Sequence, residues 1–148
     1  MPLSHLDQSS AHDLLIGPLT IRIQGRLHPE ETDPFDFDWL TTSSTFKGQH
    51  TTSPGSTSFE AVELARFQAD LIALADHAAS ELGFYPTEQI CMITAKRRSD
   101  GQVDVGFGHE SGDTAYVIVT DEDLRNWIDG LAAILRDYPP RTTLQNIS

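Results

Sequence analysis

The chain has 148 residues, of which 39% are apolar and 22% charged, a composition typical of one soluble globular domain. Ten Lys and Arg side chains face 22 Asp and Glu side chains, so the net charge is −12 and the pI is near 4.6. Such a field repels nucleic acids and anionic membranes, and the sequence predicts neither as a partner. The acidity favours a basic ligand, or it serves solubility alone.

The sequence predicts a cytoplasmic protein. No apolar run approaches the roughly 20 residues that a membrane span needs. The first residues, MPLSHLDQSSAHDLL, lack the basic and apolar regions of a secretion signal. The single cysteine, Cys91, has no partner for an internal disulfide, which is typical of a reducing compartment.

The chain begins with a predicted flexible arm, residues 1–16, which is polar apart from Leu14-Leu15-Ile16. A single domain is expected over residues 17–141, followed by a tail at 142–148. Residues 18–27, PLTIRIQGRL, alternate apolar and polar side chains with the period of a half-buried strand. Residues 28–34 form a predicted acidic loop.

The stretch DPFDFDW, residues 33–39, alternates aromatic and acidic side chains. If residues 35–46 are extended, Phe35, Phe37 and Trp39 share one face of the strand. Asp36 and Asp38 then share the other. We predict that the rings lie in the core and the carboxylates in water.

The sequence then predicts a helix. Residues 47–58 are rich in Gly, Ser and Thr and indicate a turn with a possible short strand. The run Thr57 to Glu60 matches a capping box. Apolar residues recur at three- and four-residue steps from Leu64 to Leu82, and Gly83 is the predicted stop.

The second half of the chain predicts three strands and a second helix. The strands are residues 88–97, 102–107 and 114–119, with a hairpin turn at 99–101 and a loop at 108–113. The helix begins at Thr120 or Asp121, presents one apolar stripe and ends before Pro139. This order predicts an α+β fold, an antiparallel β-sheet with two amphipathic helices packed on it.

The sequence contains no strong metal or cofactor motif, and we predict neither a metal nor a cofactor. DPFDFDW lacks the spacing and the glycine of a calcium loop, and the six histidines show no metal-ligand spacing. The glycine-rich segment GFGHESG lacks the lysine of a phosphate-binding loop. Two pairs are candidates for a small enzyme: His109 with Glu110, and Asp36 with Asp38.

Two segments concentrate negative charge. Residues 30–38 hold five carboxylates and no cation, and the predicted first helix carries five carboxylates against Arg66. Undiluted charge of this kind steers basic proteins to their partner. The predicted partner-binding residues are Glu30, Glu31, Asp33, Asp36, Asp38, Glu60, Glu63 and Asp70.

Several stretches carry a family resemblance over roughly residues 18–141: "DWL" at residues 38–40, "ELARFQADLIAL" at 63–74, the Asp100-Gly101 hairpin, and "DEDLRNWIDGLAAILRDYPPR" at 121–141. In this order they resemble the small WapI-type immunity proteins and related families that bacteria encode beside polymorphic, contact-dependent or secreted toxins.

The resemblance implies a non-enzymatic α+β domain that binds one cognate toxin domain in the cytoplasm and blocks its active site. The toxin would be basic, and a nuclease is one such class, since carboxylates can occupy a phosphate-binding cleft. Exposed aromatic side chains would supply buried anchors. The implied protein is a monomer or weak dimer. The alternative is an acidic adaptor or structural module of a secretion or phage assembly.

Overall fold

The computed structural model describes residues 13–26, 38–50, 52–88 and 91–140. Within them the chain forms four strands, a helix, four strands and a second helix. The first half contains β1 (Asp13–Ile16), β2 (Leu19–Arg26), β3 (Trp39–Lys47), β4 (Thr52–Glu60) and α1 (Ala61–Ala75). The second half contains β5 (Glu81–Phe84), β6 (Cys91–Arg97), β7 (Val103–His109), β8 (Thr114–Val119) and α2 (Asp121–Asp137).

The α+β class is confirmed, but the strands form two sheets rather than one. Strands β1 to β4 make an antiparallel meander in chain order, and β5 to β8 make a second one. The helices pack against each other and against strands of both sheets. Helix α1 separates the two meanders in the sequence, so each sheet is built from strands that are consecutive in the chain. No helix in the described part of the chain is long and apolar enough to cross a membrane.

The first sheet begins earlier than the sequence predicted. Strand β2 alternates buried and exposed side chains as expected. Strand β1, however, consists of residues 13–16, which the sequence predicts to be the end of a flexible arm, and it pairs with β2 along its whole length. Leu14 and Ile16 are almost fully buried. Burial of these two apolar side chains stabilises the strand, although most of the residues before it are polar.

The side of β3 that faces the core is the opposite of the predicted one. Its even-numbered side chains enter the core, including Leu40 and Phe46, neither of which is exposed. Asp38 lies on the same buried side and is only 1% exposed, whereas Trp39 is half-buried. Leu40 and Phe46 therefore decide which face is buried. Asp36, Phe35 and Phe37 lie outside the described residues.

Strand β4 replaces the predicted turn and the predicted start of the helix. It pairs with β3 over nine residues, from Trp39↔Glu60 to Lys47↔Thr52. Thr57 is therefore part of a strand and cannot cap a helix. Helix α1 begins at Ala61 with Glu60 as its N-cap residue, because pairing with β3 continues to that point.

Helix α1 also ends earlier than predicted. Its last residue is Ala75, and His77 follows in a left-handed conformation with φ of 62°. Leu82 and Gly83 belong to strand β5, which pairs with β6. The spacing of Leu82 fitted the helix, and Gly83 resembled a helix stop, but pairing with β6 determines the structure.

Three of the four strands of the second sheet follow the prediction, and β5 is the exception. The turn at residues 98–102 joins β6 and β7 as a hairpin, and β8 has the predicted bounds. Strand β7 continues to His109, so the first two residues of the predicted loop at 108–113 belong to a strand. The prediction for α2 is confirmed, and its N-cap residue Thr120 accepts a hydrogen bond from the Asp123 amide at 3.2 Å.

The two sheets share one hydrophobic core, to which every strand and both helices contribute. Phe46 of the first sheet stacks on His109 of the second, with ring centroids 4.9 Å apart and planes within 2°. The Gln49 amide donates to the Thr114 carbonyl at 3.0 Å. The ends of the two sheets are therefore joined by packing and by hydrogen bonds.

Cys91 is buried in this core, and burial raises the pKa of its thiol to about 12. Since the thiolate is the reactive form, we predict that the native protein reacts with a maleimide at pH 7.5 about 100-fold more slowly than the urea-unfolded chain. Mass spectrometry of the adduct against time measures both rates. Equal rates would show that Cys91 is accessible and contradict its burial.

Candidate interaction surfaces

A groove of about 1020 Å³ crosses the outer face of the second sheet. Two of its lining side chains are large, aromatic and exposed: Tyr85 by 62% and Tyr116 by 70%. Ile118, also in the lining, is 53% exposed. Apolar side chains of this size on one face of a sheet are typical of a surface that contacts another molecule.

The floor of the groove consists of small residues in register. Gly83, Thr94 and Gly106 are cross-strand neighbours on β5, β6 and β7, and Tyr116 is the next neighbour on β8. A Cβ atom at Gly83 would lie 2.5 Å from Cε2 of Tyr85, and one at Gly106 would lie 3.3 Å from Cε1 of Tyr116. Each ring therefore rests against a glycine, with Thr94 between the two.

Charged side chains form the next row of the same face. Glu81, Lys96 and Asp104 are consecutive cross-strand neighbours, so two carboxylates flank one ammonium group. Asp104 also accepts a hydrogen bond from Nη1 of Arg98 at 3.1 Å. Arg98 is shared with Asp100.

A smaller pocket of about 220 Å³ shares Gly83 and Tyr85 with the groove. Glu63, Arg66 and Asp70 of α1 line it. Glu63 and Asp70, both predicted partner-binding residues, thus lie beside the aromatic groove. Glu60 does not line either cavity.

The start of α1 concentrates carboxylates that already have structural partners. The Glu60 amide donates to Oε1 of Glu63 at 3.0 Å, and Oε2 of Glu63 accepts hydrogen bonds from the amide and hydroxyl of Thr87. Burial raises the pKa of Glu60, and the nearby negative charges of Glu63 and Asp38 raise it further. These contacts hold the chain that follows β5 against the helix.

Asp38 accepts hydrogen bonds from the first turn of the same helix. Its Oδ2 accepts a hydrogen bond from the Val62 amide at 2.9 Å, and its carbonyl accepts one from the Ala61 amide at 2.8 Å. Its Oδ1 lies 4.0 Å from Nη1 of Arg26, a side chain that is 8% exposed. The expectation that Asp38 faces water is therefore wrong. Glu30, Glu31, Asp33 and Asp36 lie outside the described residues.

Many of the other described carboxylates are in ion pairs on different elements. The pairs are Asp13–Arg22, Asp76–Arg125, Asp100–Arg98, Asp104–Arg98, Asp121–Arg97 and Asp121–His77. The Arg97 guanidinium and His77 ring lower the pKa of Asp121. The described negative charge is thus distributed over both sheets and both helices, and five of these carboxylates are paired with a cation.

His109 and Glu110, which the sequence offers as an acid–base pair, differ in their exposure to solvent. His109 is 6% exposed, and Ser111 contacts its Nδ1, with the hydroxyl at 2.9 Å and the amide donating at 3.1 Å. Glu110 is exposed. His109 therefore packs between the sheets instead of forming an accessible acid–base pair. Within the described ranges, no group of three or more His, Cys, Asp and Glu side chains could hold a metal ion.

Comparison with known proteins gives one match that covers most of the chain. The model of the immunity protein WapI-like family matches residues 14–139. The chain belongs to the WapI-like immunity protein family. Neither the curated proteins nor the solved structures gave a match.

Membership of the WapI-like immunity family assigns the chain the role of an immunity protein with a cognate toxin as partner. Immunity protein families are generally non-enzymatic. The match begins at Leu14, so β1, from its second residue on, lies within the family region. The predicted resemblance to this family is thereby confirmed.

The aromatic groove of this WapI-like protein was not predicted from its sequence. Its walls and floor come from four strands. Which residues meet there depends on the pairing register between neighbouring strands, and the sequence of a single strand does not specify that register. One signal was present. Gly106 and Gly108 occupy the outward side of β7, and glycine inside a strand often marks a place where another group approaches the backbone closely.

Proposed function

We propose that the protein neutralises a cognate bacterial toxin by binding its toxic domain and covering the active site. Membership of the WapI-like immunity family over residues 14–139 carries this proposal. A bound inhibitor of this kind needs a stable fold and an accessible contact surface rather than a reaction centre. The exposed groove of the second sheet meets that need, since Tyr85 and Tyr116 are aromatic side chains of the kind that dominate binding energy.

The toxin domain is proposed to be basic. The net charge of −12 creates a negative field that accelerates encounter with a positively charged protein. Because this steering acts over about 10 Å at 0.1 M salt, the carboxylates closest to the contact surface contribute most to it. A nuclease is the class of toxin that fits best, because its phosphate-binding cleft is positively charged.

The carboxylates that are proposed to contact the toxin are Glu63 and Asp70, which line the pocket beside the groove. Glu60 lies at the same helix start, where its amide donates to Glu63 and its carboxylate accepts from the Thr87 hydroxyl. On the basis of the sequence alone, Glu30, Glu31, Asp33 and Asp36 are proposed as further toxin-contact residues. Asp38 is omitted because its carboxylate is buried. The complex is proposed to form in the cytoplasm, with the immunity protein as a monomer or weak dimer.

Co-expression tests the proposal in living cells. The toxin domain encoded beside this gene is expressed from an inducible promoter in a bacterial host, with or without the immunity protein. We expect growth only when the immunity protein is present, and we expect the two proteins to purify together. Growth arrest that the immunity protein does not relieve would contradict the proposal.

A further inference from the structure

We propose that the toxin docks in the groove of the second sheet, where Tyr85 and Tyr116 receive a lysine or arginine side chain of the toxin. This inference rests on the proposed function, since it names the contact surface of the same complex. The groove is lined by Gly83, Tyr85, Thr94, Gly106, Tyr116 and Ile118, among other residues. We refer to these six residues as the tyrosine groove.

Exposure is the first argument. Tyr85 and Tyr116 are 62% and 70% exposed although each has a large apolar surface. Aromatic side chains that remain this exposed contribute little to the stability of the free protein. They contribute strongly to binding when a partner buries them, and tyrosine is enriched among the residues that dominate interfaces.

The shape of the floor is the second argument. Gly83 and Gly106 are two strands apart, which corresponds to about 10 Å at the usual strand spacing. Each glycine leaves the space that one tyrosine ring occupies. Thr94, on the strand between them, has the only side chain of this cross-strand row that separates the rings. The two rings therefore lie on either side of Thr94, and the space above Thr94 is the slot in which we place one extended side chain.

Charge selects the occupant of the slot. Tyrosine rings attract cations through their faces. Around them, Glu81, Asp104, Glu63 and Asp70 line the groove and its neighbouring pocket, whereas the only cations in the two linings are Lys96 and Arg66. A long cationic side chain can place its methylene groups against the rings and its charge beside these carboxylates. An acidic side chain in the same place is repelled.

Substitutions at the tyrosines test the location. In titration calorimetry with the purified toxin domain encoded beside this gene, we expect Tyr116→Ala to raise Kd by about 30-fold, and Tyr85→Ala by a similar factor. Leu15→Ala is the matched control because Leu15 is 65% exposed on the first sheet, and it should leave Kd unchanged. Circular dichroism confirms that each variant is folded.

Substitutions at Thr94 test the charge of the occupant. Thr94 is exposed on the floor, and both Arg and Glu are long enough to reach between the rings. We expect Thr94→Arg to raise Kd by about 100-fold, because it places like charge against the toxin. Thr94→Glu should raise Kd by less than about 5-fold, because the loss of space is offset by attraction. Leu15→Arg controls for the added positive charge.

The outcomes separate this inference from the proposed function. If the wild-type protein binds the toxin and both tyrosine variants bind equally well, the groove is not the docking surface, although the proposed function stands. If Thr94→Glu abolishes binding and Thr94→Arg does not, the occupant is acidic and the inference is wrong. If the wild-type protein binds no toxin, both proposals fail. A wild-type dimer on gel filtration that Tyr116→Ala converts to monomer would assign the groove to a second copy instead.

Discussion

Replacement of Asp38 by alanine is expected to lower the free energy of unfolding by about 3 kcal/mol, since it breaks a buried ion pair and removes the acceptor of the Val62 amide in the first turn of α1. Asp38 is 1% exposed, accepts the Val62 amide at 2.9 Å and lies 4.0 Å from Arg26. The variant leaves Arg26 in a site with little access to water and without its carboxylate neighbour. Urea unfolding monitored by circular dichroism measures the loss.

An exposed carboxylate provides the control for Asp38. Asp129→Ala on α2 should change the free energy of unfolding by less than about 0.5 kcal/mol, because the side chain is exposed. The comparison also separates two roles of Asp38. If Asp38→Ala is as stable as the wild type but binds the toxin more weakly, Asp38 is a surface contact residue and the buried position described above is incorrect.

Replacement of Phe46 by alanine is expected to have a similar or larger effect, about 3–5 kcal/mol, as observed for buried aromatic residues in general. Phe46 has no exposed surface and stacks on His109 across the junction of the two sheets. The variant removes buried apolar area from one sheet and the stacking partner of a histidine from the other. Urea unfolding followed by tryptophan fluorescence and by circular dichroism measures the loss.

Tyr116→Ala is the matched control for Phe46, since both substitutions remove an aromatic ring but Tyr116 is 70% exposed. It should change stability by less than about 1 kcal/mol, in line with other surface substitutions. The two variants are therefore expected to affect different properties: Phe46→Ala lowers the stability of the fold, whereas Tyr116→Ala lowers the affinity for the toxin. A loss below 1 kcal/mol for Phe46→Ala would show that the sheets are not joined through this contact.

The elements predicted correctly are those specified by nearby residues. Helix α2 has an apolar stripe, a capping residue at Thr120 and a proline after its end, all within one stretch of chain. The hairpin between β6 and β7 is fixed by its Asp100-Gly101 turn. Local patterns of this kind remain valid after folding because no distant contact competes with them.

The wrong predictions concern residues whose position depends on distant contacts. The face of Asp38 is set by Leu40 and Phe46 farther along β3 and by its contacts with Arg26 and α1. Strand pairing with β3 and β6 shortened the predicted first helix at both ends. The net charge follows from the sequence, but the structure is needed to tell which carboxylates form ion pairs, which cap a helix and which line the groove.

The proposed inhibition, by direct occupation of the toxin's active site, predicts a fixed stoichiometry. The most direct measurement is the activity of the purified toxin domain, encoded beside this gene, while the immunity protein is added in increments. We predict that activity falls linearly and is abolished at one equivalent, with the same stoichiometry in calorimetry. Full toxin activity in the presence of a saturating excess of the bound immunity protein would contradict the claim.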